Sequence, residues 1–348
     1  MSKAIGILRN DGLGDLILTL PLVLATRLSF PDCTIFLIVN PKVVGLSKIV
    51  SIEGVSWVPL DRKRPFFETF KRLRSMRLHT LMAVYAPFPT SLASFFLKIP
   101  VRVGYAYKPS GFLFNNKVSV HRSHPPVHES KFALAFLERL GVYPEASPRE
   151  LFDALPVTIS ESQKNGANAF FETLEASRPL VGIHPGFGGS ALNWPLGSYA
   201  ELLRRLTETG KVTPILTGSA LEGELLDTIL AQSGTPTPKL IGLELPEFAA
   251  AMKSFSVLVA PSTGVLHLAS LLGVKTIGLF SPLLAHSPLK WAPLRKGKVF
   301  VPPIQESLKA SRMRRLSPDK KDMLMSGIGV DEVVCAVLEA ITADNEGF

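Results

Sequence analysis

The chain has 348 residues, 46% of them hydrophobic, and a net charge of +9. That length holds two domains of ordinary size, each with its own core, and no uninterrupted apolar run reaches the roughly 18 residues of a membrane span. The charge is uneven: residues 1–150 carry +10 and residues 151–348 carry −1, so the first half is the one suited to an anionic partner.

The first predicted strand is "KAIGILR". The helix that follows, "DLILTLPLVLATRL", is apolar on almost every face. Its apolar stretch, residues 16–28, is short, holds Pro21 and Arg27, and follows a strand and an acidic loop, so it does not read as a signal peptide. Cys33 and Cys335 form no metal or redox spacing, which suits a reducing compartment. A cytoplasmic location is expected. Strands "TIFLIVN", "VSWVPL" and "HTLMAVYA" come next, then a helix "HESKFALAFLERLG" that stops at Gly141. A Pro-rich stretch, Val142 to Pro156, marks the expected boundary between domains 1–155 and 156–348. After a helix near 160–176, strands "PLVGIHPG", "KVTPILTG", "SVLVAPSTG" and "KTIGLFSP" alternate with helices "SYAELLRRLTETG", "LEGELLDTILAQ", "PEFAAAMKSF" and "LHLASLLG". Residues 301–325, mostly polar and basic, read as a loop or poorly ordered segment before a last helix, "VDEVVCAVLEAIT". Strand–helix alternation twice over predicts two doubly wound, parallel-sheet α/β domains.

Ligands of such sheets bind outside the carboxyl ends of the strands, which directs attention to three loops. "RNDGLGD" sets Asp11, Gly12, Gly14 and Asp15 at the mouth of the first helix. Asp15 reads equally as an N-cap and as a functional carboxylate favoured by helix N–H groups; two glycines indicate a backbone that something approaches closely. "HPGFGGSALNWP" places Gly186, Gly188, Gly189 and Ser190 after a strand, either a turn or a phosphate cradle. "APSTGVLH" puts Ser262, Thr263 and Gly264 at the start of a helix, where they cap it or meet a diphosphate. His267, one turn further in, reads on its own as packed scaffold.

Together, in this order, these segments resemble glycosyltransferase family 9, the ADP-heptose–lipopolysaccharide heptosyltransferase family, over nearly the whole chain. "LRNDGLGDLILTLP" resembles its N-terminal G-D loop, "GIHPGFGGSALNWPLGSYAELLRRL" its donor-side loop with W-P, "LTGSALEGELLDTI" its G-x-x-x-E segment, and "VLVAPSTGVLHLASLLGVKTIGLFSP" its D-[ST]-G…H-x-A block. "HESKFALAFLERLGV" and "MSGIGVDEVVCAVLEAI" also resemble family segments.

The resemblance implies a GT-B fold, two Rossmann-like domains facing a cleft, with the acceptor on the N-terminal domain and the nucleotide-sugar on the C-terminal one. It implies Asp15 as the general base of an inverting, metal-independent transfer, with no cofactor besides the nucleotide-sugar substrate, most simply ADP-heptose. On the donor side it places Gly186, Gly188, Ser190, Glu222, Ser262, Thr263, Gly264 and His267, Glu222 receiving the ribose hydroxyls. On the acceptor side it places Asp11, Gly14 and the run Arg62, Lys63, Arg64, which would meet the phosphates of a lipopolysaccharide-core glycolipid at the inner face of the cytoplasmic membrane. Arg72, Arg74 and Arg77, with Phe66, Phe67 and Phe70, extend the basic run either into a membrane-surface patch or into a solvated basic helix whose phenylalanines face the core; the arginines read as an anionic contact and the phenylalanines as mainly core. Two positions depart from the family pattern: Ser262 stands where an Asp is usual, and Leu192-Asn193 where a basic residue precedes Trp194. The alternative is therefore a regulatory relative that binds nucleotide or glycolipid without transfer. A nucleic-acid-binding protein leaves the three loops unexplained, and a nicotinamide dehydrogenase lacks its G-x-G-x-x-G, with acids where pyrophosphate would sit.

Overall fold

In the computed structural model the described residues are 3–120, 127–172, 174, 178–186, 188, 192–295, 297–304 and 316–343. The chain divides into two compact units, Met1–Thr158 and Ile159–Phe348.

Unit 1 runs β1 (Ala4–Arg9), α1 (Leu13–Ser29), β2 (Thr34–Val39), β3 (Val55–Pro59), α2 (Phe66–Ser75), β4 (Thr80–Ala83), α3 (Phe88–Phe96), β5 (Val101–Tyr105), β6 (Asn116–Val118), α4 (Glu129–Glu138) and α5 (Pro148–Asp153). All strands are parallel, in the order β3-β2-β1-β4-β5-β6. Register is set by the buried runs: Ala4 lies opposite Thr34, and Arg9 opposite Val39. Every residue of α1 from Leu16 to Thr26 is buried, as expected of a helix apolar all round; α4 and α5 pack against it. A separate cluster joins Leu8, Ile38, Val58 and Leu81 of the sheet to Leu73 of α2 and Ala93 of α3.

The Pro-rich stretch is not a free linker. Ser147 and Glu150 form a reciprocal capping box that starts α5, and α5 buries Leu151 and Phe152. Val157 then bridges antiparallel to Val50, and Thr158 N–H donates to the Ile49 carbonyl at 2.9 Å. These bonds carry unit 1 to Thr158, three residues past the expected boundary at 155.

Unit 2 runs α6 (Glu161–Phe171), β7 (Leu180–Ile183), α7 (Leu196–Thr209), β8 (Thr213–Gly218), α8 (Gly223–Ser233), β9 (Lys239–Ile241), α9 (Leu245–Met252), β10 (Phe255–Pro261), α10 (Gly264–Leu272), β11 (Lys275–Leu279), α11 (Pro288–Trp291), β12 (Lys298–Phe300), α12 (Pro318–Met325) and α13 (Val330–Thr342). Its strands are again all parallel, in the order β12-β11-β10-β7-β8-β9. One core cluster joins Val181, Leu216 and Val259 to Trp194, Leu203 of α7, Ile229 of α8 and Val337 of α13. Residues 318–325 depart from the expected loop: they form α12, capped by Ser317 and anchored by Leu324 and Met325 in that core. Two buried residues at the end of a polar run are too few to show a helical period in sequence.

Numbered within each unit, both sheets follow the order 3-2-1-4-5-6 of the nucleotide-binding α/β fold. The order reverses between β1 and β4 in unit 1 and between β7 and β10 in unit 2. The three loops leave β1, β7 and β10, so each stands at a switch point.

Candidate active site

In unit 1 the site is built on an arginine. Arg9 closes β1 with only 1% of its surface exposed. Its Nε meets Asp11 Oδ1 at 2.9 Å, its Nη1 meets Glu129 Oε1 at 2.9 Å, and its Nη2 binds Asp15 Oδ1. A buried guanidinium is tolerable only where its donors are taken up by opposite charge. Burial opposes the charge on Arg9, but the three carboxylates outweigh it and hold the group protonated beyond its ordinary range. Burial also pushes the Asp11 carboxyl up to about 7, against the pull of Arg9 and with the help of Asp15.

The local sequence explains the geometry. Helix α1 opens at Leu13, so Gly12, not Asp15, is its N-cap, and it offers no side chain to the helix. Gly14 and Asp15 fall in the first turn, and Asp15 turns its carboxylate to Arg9. A methyl group on Gly12 would stand 3.1 Å from Asp15 Oδ2; glycine leaves that oxygen uncovered. The loop is held by Asn10 Nδ2, which donates to the Leu60 carbonyl at 3.0 Å, and by Asn40 Nδ2, which donates to the Asp11 carbonyl at 3.3 Å. Arg62, Lys63 and Arg64 are exposed on the loop between β3 and α2. Arg62 Nη1 donates to the Tyr85 hydroxyl at 3.4 Å, at the end of β4, and Arg64 pairs with Glu68. No described hydrogen bond or ion pair joins these three to Asp11 or Asp15.

In unit 2, β7 delivers His184 and Gly186, and β8 leads to Ser219 and Glu222. Glu222 Oε2 accepts from Ser219 N–H and Oγ, both at 2.8 Å, leaving Oε1 without a partner among the described residues. That oxygen lies over Gly186, where a methyl group would overlap it and sit 2.7 Å from Glu222 Cδ. Glycine here lets the Glu222 carboxylate lie against the loop; any side chain would push it aside. His184 is buried, with Nδ1 3.0 Å from Thr217 Oγ1. Burial pushes its pKa down to about 4 although Glu222 pulls the other way, so the imidazole is neutral at pH 7. The third loop splits. Ser262 N–H is used by the Leu279 carbonyl at 3.2 Å, whereas Thr263, the N-cap of α10, caps nothing with its side chain. Thr263 Oγ1 is buried without a hydrogen-bond partner among the described residues. Gly264 opens α10, and His267 is 3% exposed within it. Gly188 is exposed in a left-handed turn; Ser190 lies outside the described residues.

The sequence profile of glycosyltransferase family 9 (heptosyltransferase) matches residues 67–319. The chain belongs to that family. Among curated relatives of this family 9 glycosyltransferase, it is 26% identical over 300 residues to the lipopolysaccharide core heptosyltransferase OpsX of Haemophilus influenzae, covering 84% of this chain and 82% of the relative. Among solved structures it is similar to a family 9 glycosyl transferase of Veillonella parvula, with TM-score 0.77, 19% identity and coverage of 98% and 97%. It is likewise similar to the ADP-heptose lipopolysaccharide heptosyltransferase II of E. coli, with TM-score 0.71, 21% identity and 98% coverage of each chain. The fold is that of a GT-B-type transferase.

Of the family 9 departures, Leu192-Asn193 sits in packed scaffold, and nothing in the structure explains Ser262. Leu192 is buried in the unit 2 core. Asn193 ties its loop together: Nδ2 donates to the Pro185 carbonyl at 2.7 Å, and Oδ1 accepts from Trp194 N–H and the Tyr199 hydroxyl, each at 2.9 Å. Both residues are scaffold. Arg9, Glu129 and His184 were not singled out from sequence. Arg9 ends an otherwise apolar strand and precedes two acids, which is a usable signal; no spacing rule links it to Glu129, 120 residues away.

Proposed function

We propose that this family 9 glycosyltransferase moves heptose from ADP-heptose to an anionic lipopolysaccharide-core glycolipid with inversion at the anomeric carbon, Asp15 acting as general base. The observation that carries the reading is the Asp15 carboxylate in the first turn of α1, one oxygen bound to Arg9 and the other kept uncovered by Gly12. Arg9 fixes the rotamer, and Oδ2 is free to take the acceptor hydroxyl's proton as that oxygen attacks. Arg62, Lys63 and Arg64 stand exposed at the same carboxyl edge of the unit 1 sheet and suit the phosphates of the acceptor.

In unit 2, the open Oε1 of Glu222 suits a ribose diol. Thr263 Oγ1 and the N-terminus of α10 suit the diphosphate, whose negative charge grows as the sugar leaves. The names of OpsX and of the E. coli heptosyltransferase II support a heptose donor and a lipopolysaccharide acceptor. A panel of ADP-heptose and common UDP-, GDP- and CMP-sugars, scored for binding and for hydrolysis by purified protein, tests the donor. Selective binding of ADP-heptose is expected. Preference for another nucleotide-sugar rejects the heptose reading, and binding of none rejects transfer in favour of the regulatory alternative.

A further inference from the structure

The face of unit 1 formed by α2 and α3 is apolar where it meets solvent. Phe67 is 81% exposed, Phe96 59% and Phe95 45%, although the phenylalanines of α2 read from sequence as mainly core. Only Phe66 and Phe70 of that group are partly buried against the sheet cluster. The rings form one strip across the two packed helices: Phe67 to Phe66 at 5.5 Å, Phe66 to Phe96 at 6.0 Å, and Phe96 to Phe95 at 5.9 Å between centroids. Exposed aromatic surface that is continuous, rather than scattered, marks an interaction site.

The surround is cationic. Lys71 and Arg74 lie four and seven residues beyond Phe67 on α2, on the same helical face, and both are exposed. Arg102 lies over the Phe95 ring at 5.6 Å and, with Lys98, completes a shallow hollow beside Phe95 and Phe96. Lys98 follows the last turn of α3 at φ +50°, and Arg77 follows that of α2 at φ +47°. Such positions favour glycine or asparagine; here each of the two helices ends on a cation instead. Residues 61–77 hold seven Lys or Arg against two acids. Aromatic rings between lysines and arginines whose stems reach past them are what a bilayer interface selects: rings at the headgroup–acyl boundary, cations at lipid phosphates. A single-stranded nucleic acid would need separated ring faces for its bases, whereas these rings pack edge-on against one another.

We propose that the α2–α3 face of unit 1 docks on an anionic lipid bilayer, with Phe67, Phe95 and Phe96 entering the interface and Lys71, Arg74 and Lys98 pairing with lipid phosphates. The proposal rests on the reading that the acceptor is a glycolipid, since docking would bring the Arg62–Arg64 loop, which leads directly into α2, to the membrane plane. The test is flotation of the full chain with phosphatidylcholine vesicles and with vesicles also containing phosphatidylglycerol, neither holding acceptor. Binding to the anionic vesicles alone is expected, falling as salt rises. Lys98→Ala should weaken it about fivefold, the worth of one interfacial cation, and Phe67→Ser with Phe96→Ser should abolish it. An unchanged thermal unfolding midpoint, and unchanged transfer to a delipidated, soluble acceptor, separate loss of docking from loss of fold or activity. Absence of anionic-vesicle binding by the unaltered chain, equal binding by the double variant, or competition by single-stranded RNA that displaces the vesicles would each overturn the proposal. Vesicle binding without transfer to any acceptor would instead overturn the transferase reading and leave docking intact.

Discussion

Replacing Asp11 with Asn should stabilise unit 1 above pH 7 and change little near pH 4. Asp11 shares Arg9 with Asp15 and the fully buried Glu129, so one cation faces three acids. Burial, outweighing Arg9, raises the Asp11 pKa from its ordinary 3.8 to about 7. With the folded pKa above the unfolded one, the native state holds a proton that the unfolded chain releases. Stability therefore falls as pH climbs from about 4 to about 7 and is level beyond. Roughly three pH units at about 1.4 kcal/mol each set an upper bound of about 4 kcal/mol. Asn removes the buried charge but also its attraction to Arg9, so a net gain of about 1–3 kcal/mol is expected at pH 8. Urea titrations at the two pH values, read by pulsed hydrogen exchange of β1 and β2 peptides, report unit 1 alone. A loss of stability at pH 8, or the same change at both pH values, would refute the reasoning and show Asp11 as an ion that Arg9 stabilises.

Glu129→Ala should cost unit 1 about 3–5 kcal/mol by the same exchange assay, because it strips a fully buried partner from a buried guanidinium; a cost under about 1 kcal/mol would contradict the network. Gly186→Ala should leave the thermal unfolding of unit 2 nearly unchanged yet weaken ADP binding at least about tenfold by calorimetry, since the methyl group must push Glu222 aside. Trp194→Phe should cost about 1–3 kcal/mol in urea unfolding of unit 2. It removes the indole N–H that donates to the Ile328 carbonyl at 3.1 Å and leaves that acceptor unpaired.

Where apolar runs and strand–helix alternation were long, the fold was legible in the sequence. The run from Leu16 to Thr26 fixed α1 as a buried helix, and the strand–helix alternation specified two parallel sheets. Strands β6, β9 and β12, three residues each at sheet edges, carry too few residues for a period to show. Loop positions at strand ends were legible because parallel sheets expose only those ends to ligands. What lay beyond sequence was pairing across distance: Glu129 reaching Arg9, Gly186 meeting Glu222, and Phe66 of α2 touching Phe96 of α3. Phe67 misled for a related reason, since its neighbours Phe66 and Phe70 do face the sheet and a dense phenylalanine cluster does not declare which ring faces out.

The most direct measurement is transfer by Asp15→Asn, with ADP-heptose affinity measured on the same samples. Loss of general-base assistance should lower the transfer rate by about 10²–10⁴ while donor affinity stays within about twofold, because the proposed donor residues all lie in unit 2. Transfer by Asp15→Asn at a rate within about tenfold of the unaltered enzyme would contradict the role assigned to Asp15.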